Sequence, residues 1–249
     1  NFFYVLGLYI HNFVFWNTDM KLVVVKTFVC NQPYDMATCL AMFTNISTTI
    51  IFISRVEMYF HDKYKRYSEA VIGGKGADID SAKREMFRQL SVELMNLVRI
   101  QFIITTIVYL VAVVVLPHLG ISSLTMRIYP CLVAGYFILF LMYSEIVFLY
   151  YYDDLAGAAM TSILFCLVTC LGSILATRLP ELWYGLGVVL GAFTGWTFAY
   201  FRLRYMEKHL DAHIFCRGSM LMHGTGEQPT GQVFDKRSQE KPQIMEGGV

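Results

Sequence analysis

Residues 55–99 read RVEMYFHDKYKRYSEAVIGGKGADIDSAKREMFRQLSVELMNLVR, the longest polar run in the chain, with apolar segments on both sides. Between Arg55 and Arg99 the run carries Lys63, Lys65, Arg66, Lys75, Lys83, Arg84 and Arg88. In a membrane protein Lys and Arg collect in the cytoplasmic loops, so this stretch predicts how the chain is oriented. Gly73-Gly74-Lys75-Gly76 interrupts it. Beyond the break, Ile79, Ala82, Met86, Leu90, Leu94 and Leu97 recur in steps of three and four, the spacing of one narrow helical stripe. The expectation is a cytoplasmic amphipathic helical hairpin over 55–97 whose second arm continues into the next apolar segment.

Composition agrees with a membrane class. Hydrophobic residues make up 56% of the chain and charged residues 16%, against about 25% charged in an ordinary soluble domain. A net charge of +1 gives no basic field for nucleic acid. The chain opens at Asn1 in an apolar run, so the reading expects a longer parent protein to precede it.

Six spans are expected, at about 1–16, 36–54, 98–116, 130–152, 155–177 and 183–201, making an all-α polytopic membrane protein. An even number places both ends on the side of the basic hairpin. Lys21 to Val29 is too short to span and reads as a surface-lying segment, followed by a helix with Asp35 at its N-cap and by a fourth span opening at Pro130. Gly187, Gly191 and Gly195 draw a small-residue ridge for close helix contact. From Ser219 the chain turns rich in Gly, Gln, Lys and Pro, and residues 219–249 read as a disordered cytoplasmic tail.

Polar residues within the spans are the functional candidates. A lone carboxylate inside a span costs a few kcal/mol, so Glu145 must be neutral, paired or facing water. Arg55, reaching up from the foot of the second span, and Glu57 are its expected companions in an inner gate or bundle-locking pair. His11 is the one ionisable group of the first span. Thr38, Thr44, Asn45 and Thr48 crowd the second span, and Tyr136 and Tyr143 lie on the fourth. These groups must face other helices or a wet cavity, as packing contacts or as a substrate path. Met86, Leu90 and Leu94, on the stripe of the hairpin, are candidates for docking a partner.

Other constellations carry less. Asp78-Ile79-Asp80 has the spacing of a metal-dependent sugar-nucleotide transferase, but it caps a helix with no strands near it. Asp153-Asp154 reads as a solvated turn. His209, His213 and Cys216 share a helix face and lack the Glu and the fourth ligand of a zinc site. Cys30 and Cys39 are the sole pair placed for a disulfide. No metal, cofactor or enzyme chemistry is expected.

Several stretches together resemble the PelG family of Pel exopolysaccharide exporters. They are Tyr9-Ile10-His11 through Phe15-Trp16, Pro33-Tyr34-Asp35-Met36-Ala37-Thr38, Arg55-Val56-Glu57, the amphipathic helix ending near Ile100-Gln101, and His213-Ile214-Phe215-Cys216-Arg217. The resemblance implies a twelve-helix, Wzx-like flippase of the multidrug/oligosaccharidyl-lipid/polysaccharide superfamily, of which this chain is the C-terminal half. It implies export of an N-acetylhexosamine-rich biofilm polymer through the bacterial inner membrane. The implied partners are a cytoplasmic glycosyltransferase, other inner-membrane subunits of the synthase, membrane lipid and the polysaccharide itself. A cation-coupled small-molecule antiporter of the same superfamily and a non-transporting scaffold of a synthase are the alternatives.

Overall fold

The computed structural model describes residues 2–25, 28–73 and 76–224. Residues Asn1–Lys208 form one compact unit, and His209–Val249 a second. The helices are α1 (Phe2–Phe15), α2 (Gln32–Arg55), α3 (His61–Gly73), α4 (Gly76–Val115), α5 (Ser123–Tyr151), α6 (Leu155–Ala176) and α7 (Leu186–Gly224). A π-helical turn, Val56–Phe60, joins α2 to α3, and short 3-10 turns follow α4 and precede α7.

Five helical runs are long and apolar enough to cross a membrane: Gln32–Val71, Gly76–Leu119, Ser123–Tyr151, Leu155–Ala176 and Glu181–Lys208. The first of the six expected spans, α1, has 14 residues. At 1.5 Å per residue that is about 21 Å, short of a hydrocarbon core of about 30 Å. Ile103, Ile107, Leu110 and Val114 stand exposed on α4 at steps of four, three and four. Water would penalise such a continuous apolar face, whereas lipid accommodates it. The protein is an all-α polytopic membrane protein, as expected.

At the centre lies α5. Burial covers 72% of its most apolar window, against 44% or less in the other four runs. It packs against α2 and α4 on one side, while α1 lies along α6. The glycine ridge performs as its spacing predicts. A Cβ on Gly187 would strike the Ser173 backbone, and one on Gly191 the backbone of Thr169 and Phe165, so α7 meets α6 with no room for a side chain.

Helix starts differ from the sequence reading in instructive ways. The start of α5 precedes Pro130, which lies inside the helix; the Ser122 side chain caps it by accepting from the Thr125 N–H at 3.2 Å. The cap of α2 is Asn31 rather than Asp35. Its side chain accepts from the Tyr34 N–H at 3.4 Å, while the Asp35 carboxylate reaches back to the Asn31 N–H at 3.0 Å. This reciprocal arrangement is a capping box with one extra residue. Asp35 also accepts from the Trp16 indole N–H at 3.0 Å, tying the end of α1 to the start of α2.

The segment expected to lie on the surface instead pairs as an antiparallel hairpin, β1 (Leu22–Val25) with β2 (Phe28–Cys30). A run of three valines suits an extended strand better than a helix. Cys30 and Cys39 are both free thiols.

Where the first two of these runs meet, α3 and the start of α4 form the expected helical hairpin. Lys63 and Glu85 pair across its arms, and the Lys63 ammonium holds the Glu85 carboxyl below its ordinary range. The pair is exposed and contributes little to stability. The stripe is covered by the chain itself: Met86 and Leu90 are buried, and the ring of Phe87 stacks on that of Tyr152 at 5.3 Å. Met86 and Leu90 therefore belong to the core and present no docking face, because the inner end of α5 already covers them.

Candidate functional site

Glu145 sits on α5, only 3% exposed. Its Oε1 accepts from the Trp196 indole N–H of α7 at 3.1 Å. Among the described residues its Oε2 has no hydrogen-bond partner. Glu145 and Trp196 stand in the wall of a cavity of about 290 Å³ between α4, α5 and α7, together with Leu94, Val98, Ser144 and Tyr200. Farther along the same wall, Arg204 donates to Glu207 at 2.9 Å and to the Tyr200 hydroxyl at 3.2 Å. These groups are thereby paired with each other, and the mouth carries no net charge from them.

The expected Glu145–Arg55 pair does not form. Arg55 Nε instead donates to Glu93 Oε2 at 3.0 Å, and the guanidinium lies 5.6 Å from the centre of the Tyr59 ring. Gln89 donates to the other Glu93 oxygen at 2.8 Å. Glu93 is 2% exposed and wholly committed, so the foot of α2 is locked to α4. Sequence reasoning passed over Glu93. The signal was present: the residue occupies the apolar stripe between Leu90 and Leu97, where a buried carboxylate needs a cation. The Glu57 side chain, like those of His209, His213 and Cys216, lies outside the described residues.

A second polar cluster joins α1, α2 and α5. His11 is buried, with its Nδ1 2.9 Å from the Tyr34 hydroxyl and its Nε2 3.5 Å from that of Tyr136. A neutral imidazole has one donor and one acceptor nitrogen, which suits two hydroxyls that can each give or take. Thr38 donates to Asn12 at 3.4 Å. Deeper in, Asn45 donates to the Tyr136 carbonyl at 3.1 Å and accepts from Gln101 of α4 at 2.8 Å. Thr44 and Thr48 bond back to their own helix at the carbonyls of Ala41 and Thr44. Tyr143 packs its ring 5.5 Å from that of Tyr4.

These six residues were expected to line a cavity, and none lines the one at Glu145. Thr38, Asn45 and Tyr136 spend their hydrogen bonds on neighbouring helices, and Thr44 and Thr48 theirs within α2. The Asn45 bridge provides a direct check. Asn45→Ala removes two interhelical hydrogen bonds at once, to the Tyr136 carbonyl and from the Gln101 amide, and should lower stability in detergent by about 1–3 kcal/mol. An unchanged thermal midpoint would show that the bridge carries no weight.

Asp154 corrects the reading of a solvated turn. It is 2% exposed and caps α6, accepting from the Gly157 N–H at 3.1 Å. Arg202 of α7 grips the same carboxylate with two bonds, Nε to Oδ2 at 2.5 Å and Nη2 to Oδ1 at 3.0 Å. Asp153, beside it, takes a left-handed backbone with φ 55° that turns α5 into α6. Among the described residues no group of three or more His, Cys, Asp or Glu is placed to hold a metal ion.

Taken together, the polar groups form interhelical ties at three levels and a single cavity wall carrying an unpaired carboxylate oxygen beside an indole ring. That combination suits recognition of a polar, uncharged molecule better than nucleophilic or metal chemistry. Comparison with protein families finds one model matching residues 1–215: PelG, described as "Putative exopolysaccharide Exporter (EPS-E)". No curated protein and no solved structure matches the chain.

Proposed function

We propose that this chain, which belongs to the PelG family of exopolysaccharide exporters, carries an N-acetylhexosamine-rich polymer across the bacterial inner membrane while a cytoplasmic glycosyltransferase extends it. The observation that carries this reading is the reach of the family match, which takes in α1 to α6 and most of α7. The chemistry suits the cargo. An acetylated sugar chain is recognised through hydroxyl acceptors and aromatic faces rather than strong charges. The cavity wall offers Glu145, Ser144, Trp196 and Tyr200 for that purpose.

In this reading the basic residues of the 55–97 hairpin keep it in the cytoplasm, and the four crossings of α4 to α7 return the far end of α7 to the same side. Other subunits of the synthase meet the protein there. Glu145 acts at the inner mouth, Arg55 with Glu93 steadies the foot of α2, and His11 fastens α1 to α2. Of the tail expected to be disordered from Ser219, residues 219–224 continue α7, and 225–249 lie outside the described residues. The scaffold alternative draws no support from a bundle that holds a cavity with a carboxylate in its wall. Cation-coupled antiport retains one observation in its favour, the unpaired oxygen of Glu145.

Two measurements decide. Inverted vesicles containing the full-length protein are assayed for uptake of labelled polymer, with and without the transferase and with an imposed proton gradient. Synthesis-driven export requires uptake only with the transferase; uptake driven by the gradient alone removes that model. Glu145→Gln should cut export severely while leaving the protein level unchanged, and normal export by that variant rules out a gating role for Glu145.

A further inference from the structure

We propose that the cavity at Glu145 is a binding site for one ring of an N-acetylhexosamine, with the indole of Trp196 as its platform and Glu145 as its acceptor. The inference rests on the export reading and assigns the substrate contact within it.

Three observations point there. The first is the unpaired acceptor. Oε2 of a carboxylate that is 3% exposed lacks a donor, while Oε1 is held by Trp196. Buried acceptors are rarely left so, and a ligand hydroxyl or amide N–H would complete the set.

The second observation is the ring. The bond to Glu145 fixes the orientation of the Trp196 indole, and Tyr200 follows one helical turn later on the same wall. Flat aromatic faces pinned beside a hydrogen-bond acceptor match the two sides of a pyranose, which presents C–H groups on its faces and O–H groups at its edge. The third is size and charge. About 290 Å³ lies at the lower edge of small-molecule pockets, which run from about 300 to 1,000 Å³, so the space suits one ring rather than an oligomer. Arg204 and Glu207 at the rim neutralise each other, so nothing there selects a charged ligand. A metal ion would need more oxygen or nitrogen ligands than this wall supplies.

The test uses the full chain in lipid nanodiscs with a cysteine placed at Ser91, an exposed residue of α4 on the cavity rim. Alkylation of S91C is followed by peptide mass spectrometry, which separates it from the native cysteines. Chitotetraose, an N-acetylglucosamine tetramer, should slow that alkylation in a saturable manner. Glu145→Leu should weaken the protection about tenfold, the loss expected for one hydrogen bond. Tyr200→Ala, an exposed change that leaves the fold intact, should weaken it to a smaller degree. An absence of protection overturns the site, as does protection that survives both substitutions. Protection by a short-chain phospholipid in place of the sugar also overturns it, since the cavity is then a lipid site. Polymer export by a protein that shows no protection removes this site and leaves the export reading standing. Protection without export does the reverse.

Discussion

Gly191→Ala is expected to destabilise the helical bundle by about 1–3 kcal/mol, the usual cost of forcing extra atoms into a close-packed interior. The added methyl would stand 2.9 Å from the Thr169 nitrogen and 3.0 Å from the Phe165 carbonyl oxygen, and closer still to the Thr169 hydroxyl. The hydroxyl can rotate aside, but the two backbone atoms belong to α6 and cannot. Relief therefore requires α7 to move away along a seam that also includes Gly187 and Gly195. The measurements are the thermal midpoint and the yield of monodisperse protein after detergent extraction. Gly76→Ala serves as the control, because nothing lies within 4 Å of its Cβ position at the start of α4. Equal behaviour of the two variants would show that the ridge is not a contact surface.

Arg202→Ala is expected to cost about 3 kcal/mol, the lower end of the range for removing one partner of a buried ion pair. The lower end applies because the Arg202 side chain is 33% exposed, whereas that of Asp154 is 2% exposed. Without the guanidinium, Asp154 loses both bonds from Arg202 while the Gly157 N–H remains on its carboxylate. Gly157 belongs to the same clamp: a Cβ there would press on the Asp154 carboxylate and lie 2.9 Å from Arg202 Cγ. A double variant, Asp154→Asn with Arg202→Met, should recover most of the loss, because neither charge is then left alone. Chemical unfolding of the three proteins provides the test. A single Arg202→Ala variant as stable as the parent would show the clamp to be a surface pair.

The membrane class, the hairpin and the glycine seam were legible because each rests on periodicity. The four-residue steps of Gly187, Gly191 and Gly195 need only one helix to be meaningful. Ties between distant segments were not legible. Arg55 had two buried carboxylates to choose from, Glu93 and Glu145, and sequence spacing cannot say which lies across from it. The structure places Glu93 there because α4 runs beside α2, while Glu145 faces α7. Asp154 was misread because two adjacent aspartates look like a wet turn, and its partner Arg202 lies on another helix. Asn31 was passed over as a cap because Asp35 is the stronger signal taken alone; in the structure the two act together. The valine run before Lys26 was read by its length rather than by its branching, so the small hairpin went unseen.

One consequence follows from α4. Its 40 residues run unbroken, about 60 Å at 1.5 Å per residue, twice the thickness of a bilayer core of about 30 Å. The half that begins at Gly76 and the half that ends at Val115 share one rod. The grip of Glu93 on Arg55 lies near its midpoint, like the pin of a lever. A push on the half that begins at Gly76 reaches the half that ends at Val115 as tilt, with no joint along the rod to absorb it. The wall residues Leu94 and Val98 sit just past that pin. Engagement of the hairpin from outside is thereby mechanically linked to the width of the space beside Trp196.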